Sequence, residues 1–280
     1  MPKILLLTAE TLPHDDFETA LVADALAELG VHSEIVAWSS TSLPPGDLAV
    51  IRTTWDYTTR LEEFLSVLGG LAHLSNPLDV VRWNYHKGYL ALLADAGVPV
   101  VPTVVVVAAD FEPASALPDF GTPEIIIKPT VSAGGFGVGR FLSRSPEAAE
   151  YLAGILTTKD ALVQPFQPDV SAGERSLIWL GGAHSHAVVK TPAAGDFRVQ
   201  ERYGGVIASH IASPAELAVA DAALAAVPGG AEALSYARID LVGPADQPLV
   251  MELELIEPEL FLHRAPGSAA RFAAVLAGLV

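Results

Sequence analysis

Apolar positions change their spacing several times along this chain. Lys3-Ile4-Leu5-Leu6-Leu7 is a continuous apolar run of strand length, predicting a strand over 3–8. From about Phe17 to Leu29 the apolar residues recur at helical spacing and stop at Gly30, which suits the position just past a helix. Two further strands are expected near 33–38 and 48–52, and a helix over about 60–72. This alternation predicts a small open parallel-sheet lobe. Asn76-Pro77 marks its end, giving a first lobe of residues 1–76.

Helices near 78–83 and 87–96 lead to a strand at 100–107 and a Pro-rich connection over 110–123. Glu124-Ile125-Ile126-Ile127-Lys128-Pro129 reads as a buried strand ending in a lysine. It runs into Ser132-Ala133-Gly134-Gly135-Phe136-Gly137-Val138-Gly139, after which Arg140-Phe141-Leu142 looks extended again. Residues 77–160 form a middle lobe. Residues 161–280 read as an antiparallel sheet with helices near 214–226 and 266–278. The fold class is α/β, with an α+β last lobe.

The last lobe carries an acidic strand pair, 238–242 and 250–255. Alternation puts Arg238 and Asp240 on one face of the first strand, and Glu252 and Glu254 on one face of the second. Three carboxylates on neighbouring strands repel unless a cation lies among them, and hard oxygens suit Mg²⁺ beside phosphates. A solvated acidic hairpin is the plainer alternative. A shared metal needs Asp240 opposite Glu252. That follows from an odd loop over Pro244 to Pro248, or from a bulge with the same effect. A tight even loop would pair Asp240 with Met251 and turn Glu252 away.

Charge narrows the ligand. The net charge is −17, which argues against nucleic acid and anionic membranes as partners. The only lysines are Lys3, Lys87, Lys128, Lys159 and Lys190. Lys87 opens a helical pattern, while Lys128 and Lys190 end strands. Lys3 and Lys159 have no such context and read as solvated surface residues. The glycine run lets backbone N–H groups approach phosphate oxygens. It is neither a Walker loop, since no Gly-Lys-Ser/Thr follows, nor a dinucleotide fingerprint, since no helix follows it. A flap between two strands fits better.

Hydrophobic residues make up 51% of the chain, yet no uninterrupted apolar stretch is long enough to span a membrane; Pro99 and Pro102 break the run from Val98 to Ala109. The N-terminus has no signal-peptide cleavage pattern. The absence of cysteine excludes disulfides, thiol nucleophiles and zinc–thiolate sites. The expected compartment is the cytoplasm. There is no Gly-x-Ser-x-Gly elbow and no protein-kinase motif. His184 and His186 share a strand face without a third ligand, which reads as a structural pair.

In the first lobe, Arg52-Thr53-Thr54-Trp55-Asp56-Tyr57 follows a strand end, where open α/β sheets bind ligands. Arg52 could meet a substrate carboxylate and Asp56 an amine. Alternatively Arg52 and Asp56 pair while Trp55 and Tyr57 pack the lobe interface. Glu10, Thr11, His14 and Asp15 could line the same cleft.

Taken in order, Lys87, Lys128 with its flap, Val163-Gln164-Pro165-Phe166, Gly173-Glu174-Arg175-Ser176, Lys190, the run Phe197 to Gly205 and the acidic strands resemble the ATP-grasp superfamily. The likeness spans roughly residues 76–262. It is nearest to the glutathione synthetase and ribosomal-protein-glutamate ligase branch and to cyclo-ligases that close the cycloserine ring. The resemblance implies an ATP-grasp fold with two lobes clamping ATP. It implies that Lys87 and Lys128 hold phosphates under a flap that includes Ser132, Gly134, Gly135 and Gly137. Gln164, Pro165 and Phe166 would meet adenine, Glu174 the ribose, and Lys190 the nucleotide from the hinge side. Arg198, with Lys128, would serve the transferring phosphate, and Gly204 and Gly205 the substrate. Asp240, Glu252 and Glu254 would bind Mg²⁺, expected as two ions. Two departures stand out: Glu254 replaces the usual Asn, and Ser176 occupies a place the related synthetases give to arginine.

The implied reaction phosphorylates a carboxylate of a small amino-acid-like substrate and lets an amine displace phosphate, between molecules or within one. A non-catalytic ATP-binding module is the other class, but it would not need Arg198 together with three metal carboxylates. A homodimer is compatible with either class.

Overall fold

The computed structural model describes residues 2–12, 15–110 and 117–280. Three sheets organise it. In the first, β1 (Lys3–Thr8) lies between β2 (His32–Ala37) and β3 (Leu48–Thr53), all parallel, with α1 (Glu18–Glu28) and α2 (Leu61–Gly69). The apolar run of β1 is buried almost throughout, as expected of a central parallel strand.

Next come α3 (Leu78–Asn84), α4 (Tyr89–Asp95) and a four-stranded antiparallel sheet. Its strands are β4 (Val104–Val106), β5 (Glu124–Pro129), β6 (Gly139–Leu142) and β7 (Ala161–Pro165), in the order β4-β7-β5-β6. Helix α5 (Pro146–Leu156) covers it and escaped the sequence reading. Its signal was Ser145-Pro146: the serine hydroxyl accepts from Ala148 N, and proline holds the first turn.

The third sheet is antiparallel, with β8 (Glu174–Leu180), β9 (Ala183–Thr191), β10 (Val206–His210), β11 (Tyr236–Val242) and β12 (Leu249–Glu254) in the order β10-β9-β8-β11-β12. Helices α6 (Pro214–Ala225) and α7 (Ser268–Ala277) complete it. One face packs on α3, α4 and α6 around Leu177, Trp179, Ile239 and Leu253. The other meets α7 and the first lobe around Ile178, Tyr236, Leu6 and Phe272.

The expected lobe limits therefore move. β7 starts at 161 but belongs to the middle sheet, and α3 and α4 belong to the core of the third. Strand 100–107 divides at Pro102. Val100 and Val101 join the edge of β12, whereas 104–106 pair with β7. Asn76 is no loose linker. Its side chain bonds Tyr236 O, Leu255 O and Ser235 N, stitching the first lobe to the third. Asn84 does the same for the edge of β12, giving to Leu253 O and accepting from Leu255 N. Among the described residues no helix is long and apolar enough to cross a membrane.

The register of β11 and β12 is the point on which the acidic face depends. Val242 pairs Leu249, so the connecting loop is even. The pairing then shifts: Leu241 faces Val250, but Asp240 faces Glu252. Met251 is the extra residue of a β-bulge. The bulge lets Val250 and Leu253, three residues apart, enter the same core. It also turns Glu252 and Glu254 to the face of Asp240.

Candidate active site

A cavity of about 1270 Å³ opens between the middle and third sheets and extends to the first lobe. Lys87, Lys128, Gln164, Glu174, Lys190 and Asp240 all border it. The acidic face is neutralised by the chain's own cations. Lys87 Nζ lies 2.7 Å from Glu252 and also donates to the flap carbonyl Ser132 O at 2.7 Å. Lys128 Nζ is 4.0 Å from the same carboxylate. Lys190 bridges Glu174 at 2.5 Å and Asp240 at 3.4 Å. Arg238 forks onto Asp240, at 3.1 and 3.0 Å, and also reaches Glu254. Ser176 Oγ, in the place related synthetases give to arginine, donates to Asp240 at 2.5 Å.

Burial and charge sort these groups. Burial works against the Lys87 ammonium, but Glu252 outweighs it and holds Lys87 above its usual range. Lys128 goes the other way: burial pushes it down and Glu252 only partly compensates. Asp240 is buried, yet Arg238 and Lys190 bring it down to about 2. Glu254 is pushed up to about 7 by burial, despite Arg238. Glu257, just past β12, is pushed up to about 8 by burial and then by Glu254. It has no cation within ion-pair distance among the described residues, and Trp55 Nε1 fixes its carbonyl at 3.3 Å.

Asp240, Glu252 and Glu254 share a face, but their oxygens do not close within 4.8 Å of one another. Asp240 is drawn toward Ser176, Arg238 and Lys190. Hard oxygens beside buried lysines still suit a divalent cation carrying phosphates; one oxygen of Glu254 accepts from Arg238. The tighter acidic group, Glu18–Glu259–His263, is a clamp. Glu18 accepts from Leu260 N at 2.7 Å and Leu262 N at 2.5 Å, and pairs Arg52 at 3.3 Å.

The flap enters the cavity with Ser132, Gly134 and Gly135; Gly137 stays off its wall. Gly134 and Gly135 both have φ near +60° to +70° and lie against Arg202 and Gln200, where side chains would collide. Arg198 borders the cavity, held by Asp196 at 2.7 and 3.1 Å and stacked 3.8 Å from the Tyr203 ring. That contact holds Asp196 well below the carboxylate range. Gly204 and Gly205 do not line the cavity. They shape the loop, since a Cβ on Gly205 would lie 2.1 Å from Val199 O.

Several expectations change in the first lobe. Arg52 is 1% exposed and committed to Glu18 and Pro258 O, with the Tyr236 and Phe272 rings 5.7 Å away. It borders the cavity from behind this clamp rather than offering a free cation, though its Nε and Nη1 have no hydrogen-bond partner among the described residues. Asp56 does not pair with Arg52; partly exposed at the cavity wall, it accepts from Trp38 Nε1 at 2.7 Å and lies 3.9 Å from Arg60. Asp15 lines the cavity, Glu10 and Thr11 do not, and His14 lies outside the described residues. Lys159 is no free surface residue: it bonds Thr58 O and Val131 O, joining the first lobe to the base of the flap. The two histidines do not share a face: a bulge opposite Ile178 and Trp179 sends His186 to Leu260 O and His184 to the other side, onto Trp179, where its Nε2 has no hydrogen-bond partner among the described residues.

At the hinge, Phe166 N donates to Glu124 O, and Pro165 has no N–H. The next amide, at Gln167, was not singled out in the sequence, yet it borders the cavity. Arg175, on the opposite face of β8, is spent on Glu216 at 2.7 Å.

Residues 4–78 match the family model of the N-terminal domain of D-cycloserine synthetase DcsG, and residues 99–245 that of the ATP-grasp domain of prokaryotic glutathione synthetase. The cycloserine biosynthesis protein DcsG of Streptomyces lavendulae is 32% identical over 291 residues, covering 98% of this chain and 97% of its own. Glutathione synthetase of Prochlorococcus marinus (strain MIT 9313) is 30% identical over 202 residues, 65% of this chain and 61% of its own. The crystal structure of D-cycloserine synthetase DcsG superposes with a TM-score of 0.89 at 30% identity, covering 99% of this chain and all of that one. D-alanine–D-alanine ligase from Bacillus anthracis, at 14% identity, 100% and 96% coverage and a TM-score of 0.66, shares the fold. With the ordered lysines, the flap and the acidic strands in one cavity, this chain belongs to the ATP-grasp ligases, enzymes that form carbon–nitrogen bonds.

Proposed function

We propose that this ligase uses ATP and Mg²⁺ to close a ring within a small amino-acid-derived substrate, as its relatives named for D-cycloserine do. One observation carries the choice of ring closure over joining two molecules. The first lobe, which lines one end of the cavity, matches the cycloserine synthetase family, not only the shared ATP-binding lobes.

A carboxylate does not acylate an amine at neutral pH without activation. The γ-phosphoryl group would pass to the substrate carboxylate, giving an acylphosphate. The amine nitrogen then attacks the acyl carbon, the carbon–oxygen bond to phosphate breaks, and phosphate leaves with the electron pair. Lys87 and Lys128 would hold the triphosphate from below and the flap from above, with Glu174 and Lys190 toward the nucleoside. Arg198 would stabilise charge on the transferring phosphoryl oxygens. Mg²⁺, held by Glu252, Glu254 and Asp240, would neutralise phosphate charge. With Glu252 and Glu254 holding the metal, Lys87 and Arg238 would be released from the ion pairs they make with those carboxylates. We assign the proton released by the amine to Glu257, a cavity carboxyl with no cation within ion-pair distance among the described residues and pushed up to about 8 by burial. Closing the flap excludes water, which would otherwise hydrolyse the acylphosphate.

The test is ADP release with a panel of amino acids and hydroxylamine-type amines, with product masses measured. The panel includes the aminooxy amino acid that opening the D-cycloserine ring amide with water would give. A product equal to one substrate minus water supports ring closure. A product joining two molecules refutes it and leaves a carboxylate–amine ligase. ADP release without any product refutes ligation of the panel altogether.

A further inference from the structure

Arg140 follows the flap and borders no part of the cavity, yet its side chain is fixed with unusual care. Its guanidinium forks onto Glu124, at 2.9 and 2.7 Å, and lies 3.7 Å from the centroid of the Phe166 ring. Such a separation puts the planar cation flat on the ring face. The Phe166 backbone is tied to the same residue, since its amide donates to Glu124 O at 3.0 Å. Glu124, Arg140 and Phe166 thus form one unit across β5, β6 and the end of β7. The edge of this unit that meets the cavity is the Phe166 ring, joined edge-on by Phe197 at 6.3 Å.

An exposed ion pair usually contributes little, and Arg140 is about one-third exposed. A forked arginine stacked on an aromatic ring is different, because the fork removes the side-chain freedom that stacking would otherwise cost. A ring pinned on one face keeps its cavity side in a single orientation. β6 is also the strand by which the flap returns to the sheet. One side chain therefore links the flap to the hinge.

We propose that Arg140 is a positioning residue for the nucleotide base: with Glu124 it holds the Phe166 ring as a fixed wall of the base end of the cavity. The proposal rests on the nucleotide-binding reading above. It predicts a loss confined to ligands that carry a base, because Lys87, Lys128 and the flap glycines hold phosphates without Arg140.

The experiment compares Mg²⁺–ATP with Mg²⁺–tripolyphosphate by calorimetry, on wild type, Arg140→Met, Phe166→Leu and the double variant. Methionine keeps apolar cover on the ring and removes charge and fork. Arg140→Met is expected to weaken ATP about fivefold, the upper size of a cation–π contact at a partly exposed site, and tripolyphosphate less than twofold. Phe166→Leu should show the same asymmetry, and the double variant no further loss, since Arg140 acts through the ring. Should Arg140→Met not fold, Arg140→Lys keeps a charge without the fork and should give the same asymmetry at smaller size. Unchanged ATP affinity, equal weakening of both ligands, or additive losses would each overturn the proposal. A wild-type protein that binds neither ligand would remove the nucleotide reading itself, a different failure from any of these.

Discussion

Replacing Arg238 by methionine tests whether the acidic face is held together by the chain's own cations. Arg238 donates to Asp240, Glu254 and the carbonyl of Glu259. Methionine retains apolar volume near the Phe261 ring, so packing changes little. The electrostatic loss is large. Asp240 is 2% exposed, and stripping one partner from a buried pair costs about 3–5 kcal/mol. Protonation caps that cost. At pH 7 an ordinary aspartate, near 3.8, takes about 4 kcal/mol to protonate. Asp240 also keeps Lys190 at 3.4 Å and the Ser176 hydroxyl. The expected destabilisation is therefore about 3 kcal/mol, read from urea unfolding at pH 7 in EDTA. Millimolar Mg²⁺ should shrink the deficit, since a metal bound to the same carboxylates replaces the lost charge. Lowering the pH to 5 should shrink it too, because Glu254, about 7 in wild type, is then already protonated. A loss below about 1 kcal/mol in EDTA would refute the claim that Arg238 neutralises this face. The same deficit with and without Mg²⁺ would remove Asp240 and Glu254 from the metal site.

Lys128→Ala should cost about 1.5–3 kcal/mol of ATP affinity, the worth of a charge-assisted phosphate contact, and calorimetry showing no change would take Lys128 out of the site. Arg198→Ala should lower kcat strongly with little change in ATP affinity, because its contact belongs to the transition state; normal turnover, or a collapse of ATP binding alone, counts against that role. In EDTA the protein should lose stability as pH rises from about 5 to 8.5, since Glu254 and Glu257 ionise near 7 and 8 when folded but near 4.5 when unfolded. Their raised values add stability below the unfolded value that disappears through the folded ones, so a melting temperature that rises over this range would refute their burial.

What the sequence displayed was whatever is local and periodic. The apolar run at β1, the glycine stop after α1 and the lysine closing β5 each express their environment within a few residues. The acidic strands were legible for the same reason, and the register argument carried through, because an even loop demanded the bulge that Met251 supplies. What stayed hidden depends on partners far along the chain. Nothing near Arg52 announces that Glu18 and two rings from the third lobe will enclose it. Lys159 looked solvated because its acceptors, Thr58 and Val131, lie 101 and 28 residues away. The contacts across the lobe break were hidden likewise: Asn76-Pro77 is a good local signal, and the N-terminal family match ends close by at 78, but nothing near it announces that the asparagine amide will bond Tyr236 O and Leu255 O.

The site is built from excess charge of both signs, and that explains how it can bind a metal–polyanion in a chain of net charge −17. Buried cations facing the cavity lie against carboxylates: Lys87 and, at 4.0 Å, Lys128 against Glu252, Lys190 against Glu174, Arg238 against Asp240 and Glu254, and Arg52 against Glu18. The chain's own charges thus neutralise much of the face, although burial still raises Glu254 and lowers Lys128. A triphosphate with its metal brings both signs at once, so it can exchange partners pairwise, taking lysines for its oxygens and giving the carboxylates its cation. Either component alone should bind weakly, because a bare triphosphate strands Glu252 and Glu254 and a bare metal strands Lys87 and Arg238. Titrating ATP with and without Mg²⁺, and Mg²⁺ with and without ATP, should therefore show strong positive coupling in both directions, equal by linkage. Independent binding of the two would mean that the carboxylates and the lysines serve separate ligands, and the active site assembled above would have to be divided.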